Sequence, residues 1–177
     1  RFGDMMTILQ SQGLVSVADC HLSSSNTGGP TGIRVHKSSA VTIDGGSIFG
    51  WPAVMASDPS TWISICGSGL ASGSLGDPQS SPYAVVTIGA RVSLSRAAMT
   101  GGGRAATGVT PALLARGGAF EIRGRYSRVQ VGRQVCGSRP VPAIDGTGAV
   151  IVPSGFVFRG CRTTAVPPTI QVSTAQR

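Results

Sequence analysis

Charge is scarce in this chain. Asp, Glu, Lys and Arg make up 12% of its 177 residues, and mean hydropathy is slightly positive at +0.19. Such a balance suits a membrane protein, yet no apolar run approaches the ~18 residues that a spanning helix needs, so membrane insertion is not expected. Aromatics are only 5%, and no nucleic-acid-binding motif is present, which makes nucleic acid the weakest of the conceivable partners. Four cysteines, Cys20, Cys66, Cys136 and Cys161, form no C-x-x-C pair, so neither a zinc ribbon nor a thioredoxin-like motif is supported. They read as buried free thiols acting as small apolar residues. Cys136 and Cys161 lie about one solenoid coil apart, so a stacked pair is conceivable and disulfide bonding stays open. Two histidines, His21 and His36, leave little material for a metal centre or a catalytic triad, and a G-x-S-x-G elbow is missing. No cofactor and no metal is expected.

What is abundant is glycine, 26 residues, set among short apolar pairs. The stretch from Gly32 to Gly50 shows the plan: Ile33 and Val35, then Val41 and Ile43, alternate with polar residues at the two-residue period of a strand, and Ser38-Ser39 and Asp44-Gly45-Gly46 punctuate them. Three short strands joined by tight corners predict one coil of a solenoid, with apolar side chains in a shared core. Related pairs follow. The step from Val15/Val17 to Ile33/Val35 is 18 residues, from Val41/Ile43 to Ile63/Ile65 it is 22, and from there to Val86/Ile88 it is 23. Further strands are predicted at Phe120-Glu121-Ile122, Val129-Gln130-Val131, Ala149 to Val152, Phe156-Val157-Phe158 and Pro167 to Val172. Thr110 to Arg116 reads as one short helix, with Pro111 in its first turn and Gly117-Gly118 as its cap. The fold class expected is all-β, a right-handed parallel β-helix, with a β-sandwich as the alternative because it also yields short, regularly spaced strands. The interior is expected to hold Val35, Val41, Ile43, Ile63, Ile65, Val86, Ile88, Val150, Val152, Phe156 and Phe158. Residues 1–13 read as the end of a preceding coil or a linker, 14–172 as the β-helix segment and 173–177 as a polar tail. The first residue is Arg1 and no signal peptide follows, which suggests a segment of a longer polypeptide. An isolated short solenoid leaves its end coils uncovered, and so few charges make a poor protective surface, so a homotrimer is expected.

Charge is also uneven. Residues 1–90 carry three basic and five acidic side chains, a balance of −2, whereas 91–177 carry twelve Arg against Glu121 and Asp145, a balance of +10. Arg116, Arg123, Arg125, Arg128 and Arg133 form the densest series. Arg123 and Arg125 are two apart, on one face of an extended segment, with Tyr126 beside them for stacking. Arg123, Arg125, Tyr126, Arg128 and Arg133 are therefore the candidate binding residues, for a sulfated, phosphorylated or uronic-acid glycan or for nucleic acid. A solvated or subunit-interface basic face is the plainer account of the same residues. The turn Cys66-Gly67-Ser68-Gly69-Leu70-Ala71-Ser72-Gly73 does not have the dinucleotide spacing, and it and Gly101-Gly102-Gly103 are assigned to flexible loops.

The repeated Val-x-Ile and Ile-x-Val pairs, the Asp44-Gly45-Gly46-Ser47-Ile48-Phe49-Gly50 corner and the Pro153-Ser154-Gly155-Phe156-Val157-Phe158-Arg159-Gly160-Cys161 strand resemble right-handed parallel β-helix proteins of the pectate-lyase-like superfamily, particularly spike proteins of tailed phages and related particles. The resemblance implies a structural and receptor-binding protein on the outside of a virion or phage-like particle, associated with other particle proteins and contacting host cell-surface polysaccharide. It also implies the alternative, a polysaccharide lyase or hydrolase on the same scaffold, which would need a pair of carboxylates on one flank. Asp44, Asp58, Asp77 and Asp145 all sit next to Gly or Pro and read as turn residues. Glu121, the one acid inside a strand, reads as an ion-pair partner for the neighbouring arginines. No catalytic residue is assigned. A β-sandwich adhesion or capsid-decoration domain is a third class.

Overall fold

Alternating inward and outward residues, broken every few positions by a residue able to turn the backbone, build the chain up coil by coil. A computed structural model describes residues 4–23, 30–38, 40–72, 83–101, 103–104, 108–109, 111–123, 127–130, 144–153, 156 and 170–173. β1 (Met6–Leu9), β2 (Leu14–Ala18) and β3 (His21–Ser23) make one coil. Gly32 to Gly50 makes the next as β4 (Ile33–His36), β5 (Ala40–Asp44) and β6 (Ser47–Gly50). Then come β7 (Val54–Ser57), β8 (Trp62–Cys66) and β9 (Gly69–Ser72), followed by β10 (Val85–Ile88), β11 (Arg91–Ser95) and β12 (Ala98–Thr100). A small antiparallel pair, β13 (Gly103–Arg104) and β14 (Gly108–Val109), precedes β15 (Leu113–Arg116), β16 (Ala119–Arg123) and β17 (Arg128–Gln130). β18 (Ile144–Gly146), β19 (Ala149–Pro153) and β20 (Ile170–Ser173) close the described chain.

Strands at the same place in successive coils pair in parallel. Sheet A has the order β1-β4-β7-β10-β15-β18, sheet B the order β2-β5-β8-β11-β16-β19-β20, and sheet C the order β17-β12-β9-β6-β3. The chain is a parallel β-solenoid of three sheets, and no helix occurs among the described residues. The sandwich alternative falls, because every pairing within these sheets is parallel and links one coil to the next.

In-register stacking brings like residues together. Ile33, Val54, Val85, Leu113 and Ile144 align inside sheet A. Val41, Ile63, Val92, Phe120 and Val150 align inside sheet B, with Ile43, Ile65, Leu94 and Ile122 alongside. Leu22, Ile48, Leu70, Met99 and Val129 do the same in sheet C. All but Leu22 are buried.

The corners follow a rule as well. Between sheets A and B the first corner residue is left-handed at Gln10, Lys37, Asp58, Gly89 and Gly117, and between B and C at Asp19, Gly45, Gly67 and Arg96. Its N–H donates to the corresponding strand end of the next coil, as from Gln10 to the His36 carbonyl, Asp58 to Ile88 and Gly67 to Ser95. The next inward position is small: Ser38, Thr61 and Ala90 at one corner, Ser68 and Ala97 at the other, all buried. The hydroxyls there are used, Thr61 Oγ1 donating to the Ser57 carbonyl at 2.6 Å and Ser68 Oγ to the Gly45 carbonyl at 2.7 Å. Chain length varies mostly at the third corner, where residues 24–32, 73–84, 101–112 and 131–143 join sheet C to sheet A and only 51–53 do so tightly.

Four expectations need correction, the first being the flexible loop over 66–73, where Gly69–Ser72 is a strand paired on both sides with Leu70 buried. The predicted helix over 110–116 is wrong: β15 is a strand, paired on both sides, with Leu113 and Ala115 inward. Apolar residues on both faces of a covered sheet mimic a helical run. In β10 the phase is reversed, since Val85 and Thr87 align with inward Val54 and Ala56 while Ile88 is 40% exposed, although Val86 is buried as expected, at 5%. Of the three spacings, only the 22-residue step is a coil step, Val41 to Ile63. Val15/Val17 belongs to sheet B and Ile33/Val35 to sheet A, and Ile63 pairs with Val92, not with Val86. The other expected interior residues behave as follows: Val35, Val150 and Val152 are buried, Phe156 packs half-buried against the core, and Phe158 lies outside the described residues.

Candidate binding groove

Because Ile63 and Ile65 must face the core, Trp62, Ser64 and Cys66 must face out, and the same phase holds on β11 and β16. The outer side of sheet B therefore carries three rows. One runs through Trp62, Arg91, Ala119 and Ala149. The next runs through Ser16, Thr42, Ser64, Ser93, Glu121 and Ile151, and the third through Ala18, Asp44, Cys66, Ser95 and Arg123. Over the middle of this face lies an open groove of about 540 Å³. Trp62, Arg91, Ser93, Glu121, Arg123 and Ile151 line it, with the Pro59-Ser60-Thr61 corner along one side.

Trp62 leaves 50% of its surface in solvent, an uncommon exposure for so large an apolar ring. Ser93 on the groove floor is 4% exposed, its hydroxyl 3.5 Å from the Ile63 carbonyl. Glu121 and Arg123 join by a 2.9 Å ion pair, with side chains 38% and 55% exposed, and hydrogen bonding to Glu121 together with its charge pushes the Arg123 pKa up. The side chain of Arg91, exposed on the adjacent strand, has no hydrogen-bond or ion-pair partner among the described residues.

Two of the five predicted binding residues lie within the described part of the chain. Arg123 lines this groove on sheet B and Arg128 is exposed on β17 in sheet C, while Arg125, Tyr126 and Arg133 lie outside the described residues. Arg116 stands on sheet A. Trp62 and Arg91 were not among the candidates, although a simple signal marks them: each immediately precedes an inward pair, Ile63/Ile65 and Val92/Leu94, which places both in one outward row.

The acids divide by position. Asp58, left-handed, accepts bonds from the Ser60 hydroxyl and from its N–H at 2.9 Å, which lower the carboxyl's pKa, and it does serve its turn. Asp44 ends β5 in an exposed position before Gly45. Asp145 instead points outward from β18 and accepts the Tyr83 hydroxyl at 3.1 Å; burial, then this bond, raises the Tyr83 pKa. Asp77 lies outside the described residues. Each histidine uses Nδ1 on a serine one coil along, His21 with Ser47 and His36 with Ser57, both at 2.9 Å. Among the described residues no three His, Cys, Asp or Glu side chains gather as a metal site. Cys20 is half-buried against the core, as a small apolar residue would be. Cys66 is not: it faces outward on sheet B, a free thiol 3.3 Å from the Arg96 guanidinium. Cys136 and Cys161 lie outside the described residues.

Fold and groove together define the class, a three-sheeted parallel β-solenoid with a mixed aromatic and polar groove on one outer face. No protein-family model, no curated protein and no solved structure matches this chain.

Proposed function

We propose that this chain is a structural and binding segment of a surface spike, displayed as a homotrimer on a phage or phage-like particle, and that its groove holds a cell-surface polysaccharide without cleaving it. The observation that carries this reading is Trp62, half-exposed in a groove whose lining combines apolar side chains such as Ile151 with hydroxyl, guanidinium and carboxylate groups. A flat ring covers the apolar face of a sugar, and flanking polar groups take its hydroxyls. Binding rather than cleavage is favoured because glycoside hydrolysis uses two carboxylates ~5–9.5 Å apart, whereas among the described residues one carboxylate lines the groove, Glu121, and it is tied to Arg123.

The test is retention on a panel of immobilised bacterial surface polysaccharides, with a reducing-end assay on the same samples. At least one polysaccharide should be retained, Trp62→Ala should weaken retention by about two- to tenfold, as expected for loss of ~0.5–1.5 kcal/mol of stacking, and no new reducing ends should appear. Retention unaffected by Trp62→Ala sinks the groove reading. Reducing ends that vanish in Glu121→Gln establish the depolymerase instead.

A further inference from the structure

Resting on the polysaccharide reading, we infer that the groove selects an acidic saccharide, whose carboxylate or sulfate is taken by Arg91 while Trp62 packs against the same or the adjoining ring. Three observations lead there. Trp62 and Arg91 are direct register partners on neighbouring strands, so their side chains rise side by side from the sheet. Of the two guanidinium groups lining the groove, Arg123 is already neutralised by Glu121 at 2.9 Å, whereas Arg91 has no partner among the described residues. Among the described residues the groove therefore carries one uncompensated positive charge, beside its aromatic ring.

The surroundings favour an anion of sugar size. A volume of about 540 Å³ falls within the ~300–1,000 Å³ typical of small-ligand sites, enough for a short stretch of a polymer. The guanidinium fork matches carboxylate and sulfate oxygens two at a time, which a neutral hydroxyl cannot exploit. Among the described residues no second unpaired cation lines the groove, so one acidic group per bound segment satisfies it. A nucleic acid, with a phosphate on every residue, is served poorly by a single cation.

Alginate, a polyuronate, and the same polymer after chemical reduction of its carboxyl groups serve as paired probes, with a single-stranded oligonucleotide as a third, all in affinity electrophoresis with the full chain. Alginate should retard the protein, and the reduced polymer should do so at least about tenfold more weakly, since a charge-assisted bond contributes roughly 1.5–3 kcal/mol. Arg91→Ala should lower alginate affinity by a similar factor with Arg91→Lys in between, and raising salt from ~0.05 to ~0.5 M should weaken the wild type far more than Arg91→Ala. Circular dichroism confirms that each variant folds, which an outward residue on a solvated face permits. If both polymers bind equally and only Trp62→Ala matters, the acidic-ligand inference is overturned and polysaccharide binding stands. If neither polymer binds while the oligonucleotide does, through Trp62 and Arg91, both readings are overturned.

Discussion

The two faces of sheet B share one backbone and obey opposite rules. Inward, Val41, Ile63, Val92, Phe120 and Val150 repeat one chemistry through successive coils, because each residue's neighbours are its own counterparts above and below. Outward, the row from Ser16 through Thr42, Ser64 and Ser93 keeps small hydroxyls and then changes to Glu121 and Ile151, while the row beside it holds Trp62, Arg91 and two alanines. Stacking fixes the first set. The second is free to vary, and a groove forms where it varies most.

Adjacent residues on β11 give the sharpest test of that contrast. Leu94 is completely buried between Ile65 and Ile122, and Leu94→Ala should cost about 2–5 kcal/mol through lost burial and a cavity. Ser93, its chain neighbour on the other face, donates only a 3.5 Å bond, so Ser93→Ala should cost at most about 1 kcal/mol. Urea unfolding of both variants measures the difference. Equal losses would mean that the outer face is as tightly specified as the inner one.

A somewhat smaller effect is expected at the corners, where the comparison turns from side chains to backbone. Gly46 has a φ of +70°, and a Cβ there would run into the backbone of Cys20 in the preceding coil. Lys37, Asp58 and Arg96 also take positive φ, so a left-handed corner by itself does not demand glycine. It is the close approach of the neighbouring coil that does. Gly46→Ala should destabilise by about 1–3 kcal/mol, read as a lower urea midpoint. Lys37→Gly, where the left-handed conformation is already borne by a side chain, should not destabilise comparably. A tolerated Gly46→Ala would mean that coil spacing at this corner is loose.

Much of this architecture was legible from Gly32–Gly50 alone, because there all three strands and both tight corners fall on consecutive residues with clean two-residue alternation. Legibility failed where alternation is blurred. Val85-Val86-Thr87-Ile88 is apolar on both faces, so its phase is fixed by the register with Val54 and Leu113, not by its own pattern. Leu113 to Arg116 imitated a helix for the same reason. Coil length was unreadable because the third corner takes up the variation, from residues 51–53 to 131–143. In the groove, Glu121 and Arg123 could be paired from their spacing on one strand. Trp62 and Arg91 lie 29 positions apart and become neighbours only through the register of β8 with β11.

The smallest effect concerns charge, and it compares the groove pair with an ion pair on sheet A. Arg34 Nε donates to Asp4 Oδ2 at 2.7 Å, with side chains 36% and 18% exposed, a better-covered pair than Arg123 and Glu121. Burial pushes the Asp4 carboxyl up, but the hydrogen bond and charge of Arg34, with help from Thr31 and Thr7, more than offset it and hold the pKa below its usual value. A carboxyl lowered in the folded state releases its proton more readily there than in the unfolded chain. Its contribution to stability is therefore fully present above the unfolded pKa of ~3.9 and fades as pH falls through the lower, folded value. For a partly exposed pair the size is about 1 kcal/mol or less. Asp4→Asn should lower the urea midpoint slightly at pH 6, and the gap to the wild type should close as pH falls below ~4. Subtracting the two chains cancels the other acids, including Asp58, whose pKa is also lowered. A gap that persisted unchanged at low pH would show that Asp4 acts through hydrogen bonding to Thr31 and Thr7 rather than through its charge against Arg34.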